Sequence, residues 1–255
     1  MSLGSAILIA LAGCGAGLIN TIVGSGTLLT FPTLLFFGFG PLMANVSNNI
    51  GLVAGGMSGS WGYRHELIGQ APVVRRLVPL SLVGSVIGAT LLLVLPAEAF
   101  QTIVPALILL ALIMVLVGPR IQRYVVRRSE GEQPAWHAPV MGIGVLLAGV
   151  YGGYFGAAQG VLLMGLFSIL STEPLQRLNA HKNVLALVVN LVAAVMFLLF
   201  AREYVDWAVV GLIAGGALLG GVIGARIGRR IPPAMLRGLI IAIGLVAVVK
   251  LIWFP

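Results

Sequence analysis

The sequence predicts an all-α polytopic membrane protein, built from two inverted repeats with about eight to ten membrane segments that include broken or re-entrant short helices. Of its 255 residues, 59% are hydrophobic and only 9% are charged, whereas each transmembrane helix needs about 20 apolar residues. Membrane segments therefore take up nearly the whole chain. Two further observations predict the repeats: the halves resemble each other, and the basic residues lie in alternate loops.

Breaks at proline, glycine and charged residues divide the chain into ten apolar segments. In the first half they span 3–19, 28–37, 44–60, 77–95 and 102–117, and in the second half 139–155, 161–170, 178–200, 207–225 and 235–253. The second segment of each half is too short to cross a hydrocarbon core of about 30 Å as a helix. We divide the chain into a first repeat (1–118), a cytoplasmic linker (119–137) and a second repeat (138–255).

Three matches in the same order indicate an internal duplication. The run GSVIGA from Gly84 matches GGVIGA from Gly220, and Leu95-Pro96 matches Ile231-Pro232. The pair Asn45 and Asn49 likewise matches the pair Asn179 and Asn183.

The basic residues orient the repeats, because arginine and lysine accumulate in cytoplasmic loops. If every segment reverses direction, one side of the membrane holds Arg64, Arg75, Arg76, Arg120, Arg123, Arg127, Arg128, Arg177, Lys182, Arg226, Arg229, Arg230 and Arg237. The other side keeps only Arg202 and Lys250. The equivalent turns 96–101 and 231–236 then face opposite sides, so the repeats are inverted, as in many secondary transporters. This topology predicts a multi-pass protein of the cell membrane with both termini outside.

The acidic residues lie in or beside the loops, and none falls in the middle of a segment. Because proton and cation sites in membranes usually rest on buried carboxylates, an anion is the favoured substrate. With one cysteine and three scattered histidines, neither a metal site nor a cofactor is predicted. The net charge of +8 is spread over several loops, so the predicted partner is the lipid bilayer and not a nucleic acid.

The predicted anion site lies where the two Gly-rich breaks precede the short segments. Helix N-termini bind anions through free N–H groups, and glycine lets the backbone approach a ligand. The candidate residues are Asn20, Gly24, Ser25, Gly26 and Thr27 in the first break, and Gly156, Ala157, Ala158, Gln159 and Gly160 in the second. The alternative interpretation is that the glycines form helix-packing seams, the role we assign to Gly84, Gly88, Gly220 and Gly224.

A second set of candidates lies in the third and eighth segments: Asn45, Asn48, Asn49, Lys182, Asn183 and Asn190. Amides bind oxyanions without a net charge. Asn45 can also be a helix N-cap, and Lys182 a snorkelling lysine at a helix end. An intramembrane serine hydrolase using Ser25 and His181 is a remote alternative, since no carboxylate orients the histidine. We therefore predict no catalytic residue and no enzyme.

Five runs of residues resemble the signatures of the sulfite exporter TauE/SafE family of membrane permeases. These are GSGTLLTFP from Gly24, ANVSNNIGL from Ala44, GSWGYRHEL from Gly59, YGGYFGAAQG from Tyr151 and RLNAHKNVLA from Arg177. The resemblance implies transport of a small sulfur-containing anion such as sulfite, thiosulfate, a sulfonate or sulfoacetate. This chain has Ala157, Ala158 and Gln159 where glycines often stand in the family, so Gln159 is a candidate specificity determinant.

The predicted function is therefore a secondary transporter that exports such an anion by alternating access, with the substrate near the membrane midplane between the two breaks. Proton-coupled uptake of thiosulfate or a sulfonate and an anion channel remain open, as does a membrane scaffold. Small-residue seams also allow a homodimer.

The topology is tested by a reporter fused after Pro255. We expect reporter activity outside the cell, because an even number of crossings returns the chain to the side on which it began. A cytoplasmic reporter would contradict the predicted orientation.

Overall fold

The computed structural model describes residues 1–126, 136–227 and 233–253. Residues 127–135 of the predicted linker, residues 231 and 232 of the turn at 231–236, and Pro255 lie outside these described residues. In the first half the helices are α1 (Leu3–Ile22), α2 (Thr27–Phe36), α3 (Pro41–Gly62), α4 (Ala71–Val94) and α5 (Ala97–Val126). In the second half they are α6 (His137–Tyr154), α7 (Gln159–Leu170), α8 (Leu175–Phe200), α9 (Trp207–Ile227) and α10 (Pro233–Trp253).

The all-α polytopic membrane class is confirmed. No strand occurs in the three described ranges, and five stretches within them are long and apolar enough to cross a membrane: Leu3–Ile22, Ala71–Val94, Glu98–Val117, Leu175–Phe200 and Trp207–Ile227. The short second segments are also confirmed, since α2 has 10 residues and α7 has 12. At 1.5 Å per residue, each covers about half of the hydrocarbon core. The helix α5 is longer than its apolar segment, because a helix can continue into polar sequence outside the membrane.

The ten described helices pair in the same way in both halves. The helices α1 and α3 pack on α9, just as α6 and α8 pack on α4. Similarly, α2 packs on α10 and α7 on α5. Replacing each helix by its counterpart in the other half leaves this set of pairs unchanged, as expected for a duplicated chain. The fourth helix of each half thus packs within the other half, so the halves interlock. The opposite orientation of the two repeats stays a prediction.

Glycine seams hold these exchanged helices together. A Cβ atom on Gly220 of α9 would collide with the Cys14 carbonyl of α1, and one on Gly88 of α4 would collide with the Val150 carbonyl of α6. Such close backbone approach is how helices associate in a bilayer, where apolar side chains gain little from leaving the lipid. The packing roles assigned to these glycines from the sequence agree with their positions.

The seam predicts that Gly220→Ala destabilises the protein by about 1–3 kcal/mol, because the added methyl group forces α9 away from α1. The matched control is Gly215→Ala on the same helix, where an added Cβ meets no described atom within 4 Å. Thermal unfolding of purified protein in detergent should show a lowered Tm for the first variant only. Equal Tm values for the two variants would contradict the seam.

Candidate functional site

Each half-helix follows a chain break of the same geometry. After α1, Gly24 has φ 90° and its N–H donates to the Ile19 carbonyl at 2.9 Å. After α6, Gly156 has φ 76° and its N–H donates to the Tyr151 carbonyl at 3.1 Å. Residues with a side chain rarely adopt a positive φ. The glycines at these two positions can, so they end the full-length helices and redirect the chain.

The two breaks meet each other in the interior. The Gly160 N–H donates to the Gly24 carbonyl at 3.0 Å, and a Cβ atom on either glycine would collide with the backbone of the other. The half-helices α2 and α7 therefore begin close together. Several N–H groups of these first turns are bonded to the residues just before them, Leu28 to the Ser25 carbonyl and Val161 to the Ala158 carbonyl. Two helix N-termini, with their positive dipole ends, therefore converge on one place.

The carbonyl ends of α1 and α6 are capped by side chains from the opposite half. The Asn179 amide of α8 donates to the Thr21 carbonyl at 3.2 Å, and the Asn45 amide of α3 donates to the Tyr154 carbonyl at 3.1 Å. These are the matched asparagines of the sequence repeat. The interpretation of Asn45 as a helix N-cap is wrong, because α3 begins at Pro41 with Gly40 as its cap.

Lys182 adds a buried basic group to this cap. Its side chain is fully buried, and Nζ donates to the carbonyls of Asn20 at 2.8 Å and Thr21 at 3.2 Å. The interpretation as a snorkelling lysine is wrong, since the amino group points into the protein. Both of these Nζ partners are backbone carbonyls, so among the described residues Lys182 is bonded to carbonyl dipoles and not to a carboxylate.

A small cavity of about 30 Å³ lies at the meeting point of the breaks. Half of the sixteen predicted site residues line it: Asn20, Gly24, Thr27, Gly156, Gln159, Gly160, Asn183 and Asn190. The structure does not place the other half on its wall: Ser25, Gly26, Asn45, Asn48, Asn49, Ala157, Ala158 and Lys182. Whether either group touches substrate stays a prediction.

Several predicted residues that do not line the cavity hold those that do. The Gly26 N–H donates to the Asn20 Oδ1 at 2.6 Å, and the Asn49 amide donates to the Asn190 Oδ1 at 3.5 Å. Asn48 hydrogen-bonds the hydroxyls of Thr27 and Thr30. These contacts fix the orientation of polar groups around the cavity, as a supporting layer does at other ligand sites.

Gln159 is a cavity residue whose side chain has an unused donor. It is buried at the first position of α7, and its Nε2 has no hydrogen-bond partner in the described part of the chain. Its amide lies against Gly152, where an added Cβ would touch the Gln159 Cδ at 2.5 Å. A buried amide without a partner is costly unless a ligand or water satisfies it.

Sequence reasoning missed six lining residues: Thr21, Gly55, Gly56, Gly59, Ala186 and Leu187. Ala186 and Leu187 lie three and four residues after Asn183, so helical spacing between Asn183 and Asn190 was a usable signal. The glycines of α3 carried no such signal, because they look like any packing seam.

The serine hydrolase alternative has no support in this geometry. Ser25 Oγ and His181 Nε2 are both buried without a hydrogen-bond partner among the residues that the structure describes. They therefore do not form the nucleophile–base pair that such chemistry needs.

Comparison with known proteins agrees with the membrane architecture. The model of the sulfite exporter TauE/SafE family matches residues 9–251. The chain is 25% identical over 238 residues to a probable membrane transporter protein, YfcA, of Escherichia coli K12, covering 93% of this chain and 86% of that protein. No solved structure matches.

Two further relatives have similar descriptions. A probable membrane transporter protein of Haemophilus influenzae is 24% identical over 241 residues, covering 93% of this chain and 91% of that protein. The ORF9 probable membrane transporter protein of Sinorhizobium sp. is 26% identical over 247 residues, covering 94% and 89%. The protein is therefore a multi-pass membrane transporter and not an enzyme, and it belongs to the sulfite exporter TauE/SafE family.

Proposed function

We propose that the protein exports a small sulfur-containing anion, such as sulfite or an organosulfonate like sulfoacetate, by alternating access through the cavity between the two breaks. The observation that carries the proposal is the set of groups around this cavity. Two half-helix N-termini, the amides of Asn20, Gln159 and Asn183, and the nearby Lys182 surround it. These are groups that attract an anion.

The charge balance supports an anion over a cation. The acidic residues Glu66, Glu98, Glu173, Glu203 and Asp206 lie in loops, short 3-10 turns or the ends of helices. An ammonium group on Lys182 is compensated only by the partial charges of two carbonyls among the described residues, and a buried charge is costly in a membrane unless paired. A bound anion supplies the full opposite charge.

The size of the cavity implies that this conformation is closed. A cavity of about 30 Å³ holds only about two water molecules, since one needs about 10–15 Å³ by the same measure. A sulfonate with a carbon chain needs more room. We infer that the contact between Gly24 and Gly160 opens during transport, as one half of the protein rocks against the other.

The membrane potential favours export. An inside-negative potential drives an anion outward by about 2.3 kcal/mol per charge per 100 mV, so export needs no coupling ion. The protein would lie in the cell membrane with both termini outside and the basic loops in the cytoplasm. Gln159, with its free amide donor, is our candidate for the residue that selects among sulfur oxyanions.

The experiment that tests this function is sulfite efflux from proteoliposomes under an imposed potential, with thiosulfate, sulfoacetate, an alkanesulfonate and chloride as competitors. We expect potential-driven efflux that one or two sulfur anions inhibit and chloride does not. Currents far above transporter turnover would indicate a channel. Flux that appears only with an inward proton gradient would indicate proton-coupled uptake.

In this assay Lys182→Met should lower the initial rate about tenfold or more. A hydrogen bond to a charged group contributes about 1.5–3 kcal/mol, and about 1.4 kcal/mol corresponds to a factor of ten. The control is Arg177→Gln, which removes a positive charge from the exposed start of the same helix. An unchanged rate in folded Lys182→Met protein would remove Lys182 from the proposed site.

A second pair of variants tests the contact between the breaks. Gly160→Ala should abolish flux, because its methyl group collides with the Gly24 backbone and displaces the start of α7. Gly165→Ala, also on α7, adds a Cβ in open space and should transport normally. Size-exclusion profiles establish that both variants are folded. Normal flux in Gly160→Ala would show that the close contact is not needed for transport.

A further inference from the structure

A second and larger cavity, of about 530 Å³, lies within the helices α4, α6, α7 and α8. Its wall on α8 is formed by Leu178 and His181, whereas the central cavity uses Asn183, Ala186 and Asn190. At 100° per residue these two sets lie on opposite faces of α8. The larger cavity is therefore separate from the central one, and binding of a ligand there does not depend on the proposed export function.

Three basic side chains line this second cavity. Each has a polar or charged group without a bonding partner among the described residues. His181 is 4% exposed and its Nε2 has no hydrogen bond, and the buried Nδ1 of His137 has none either. Arg76 takes part in no ion pair within the described ranges. The acidic side chain on the wall, Glu173, is already neutralised by Arg177 at 2.8 Å. The wall thus offers unused groups to an anion.

The helix ends add to this preference. The helices α4, α6 and α8 begin at this cavity, where Pro72, Ala138 and Glu173 stand in or just before their first turns. Of the described helices that line it, only α7 ends there, at Leu170. Three positive dipole ends therefore face one negative end. A buried, unpartnered histidine and an unpaired arginine accompany these helix starts, so the site does not rest on the dipoles alone.

The remainder of the wall is apolar. Leu77, Phe167 and Leu178 belong to a buried hydrophobic cluster, and Met141 packs against it. The volume lies within the range of about 300–1,000 Å³ typical of small-molecule sites. We propose that this cavity binds an anionic headgroup attached to an apolar stem, as a site separate from the central cavity.

The equivalent position in the first half is already bonded within the protein. In the alignment of Asn45 and Asn49 with Asn179 and Asn183, Ser47 corresponds to His181. The Ser47 hydroxyl donates to the Tyr204 carbonyl at 3.4 Å and accepts from the Asp206 N–H at 2.9 Å. The polar group at this position is satisfied by protein in the first half and left free in the second.

Two sources can supply such a headgroup: a soluble organic anion or an anionic lipid of the adjoining leaflet, which basic pockets between membrane helices also bind. The shared chemistry is a charged oxyanion on an apolar chain. The test uses full-length protein in nanodiscs of zwitterionic phosphatidylcholine, titrated calorimetrically with hexanesulfonate. A second arm adds phosphatidylglycerol to the nanodiscs and counts retained lipid by native mass spectrometry.

We expect saturable binding of hexanesulfonate that Arg76→Gln weakens about tenfold, the effect of losing one charge-assisted hydrogen bond. The matched control is the exposed neighbour Arg75, which does not line the cavity, so Arg75→Gln should bind as the parent protein does. Met141→Trp should abolish binding, because the larger side chain fills the cavity without changing its charge. Asn183→Ala changes a residue that lines the central cavity and not this one, so it should leave hexanesulfonate binding intact.

If phosphatidylglycerol competes with hexanesulfonate and is retained by the parent protein but not by Arg76→Gln, the occupant is the lipid and the site stands. The proposal is overturned if neither compound binds, or if Arg75→Gln and Arg76→Gln weaken binding equally. Loss of binding in Asn183→Ala would likewise overturn it, because the ligand would then occupy the central cavity.

Discussion

The hydrogen bond from the Gly160 N–H to the Gly24 carbonyl is the contact on which the centre of this transporter depends. It joins two backbones with no side chain between them, and a Cβ on either residue would prevent it. Because both breaks meet here, two helix N-termini and two helix C-termini share one buried place. The Thr21 and Tyr154 carbonyls are occupied by side chains, so the cavity is left with the positive dipole ends of two half-helices and, among the described lining residues, the unpartnered donor of Gln159.

Contacts between the two halves stabilise this arrangement. Asn179 caps the break of the first half and Asn45 that of the second, while the fourth helix of each half packs in the other. Relative motion of the halves therefore changes the two breaks together. The alternating access that we propose would need interfaces that slide without unfolding, and backbone seams lined by glycine meet that need.

The two halves share a plan but differ in charge. In the asparagine alignment, Lys182 corresponds to Asn48. Asn48 bonds threonine hydroxyls within its own half, whereas Lys182 reaches across to the carbonyls of Asn20 and Thr21. Of these two matching positions, therefore, only the one in the second half carries a basic group. The same asymmetry leaves His181 Nε2 without a partner among the described residues, whereas Ser47 at the matching position is bonded to Tyr204 and Asp206. Both candidate anion sites therefore include a position at which the repeats diverge.

The sequence alone determined the membrane class, the positions of ten helices, the two half-length helices and the two breaks, because helix length and apolar pattern are local properties that the bilayer enforces. It also indicated eight of the fourteen residues that line the cavity, most of them glycines and asparagines. Only the tertiary structure decided that α4 and α9 exchange places, that Lys182 turns inward onto α1, that Asn45 caps α6, and that Gly55 and Gly59 face the cavity. These features depend on which helices approach one another, and small residues that permit close approach do not specify the partner.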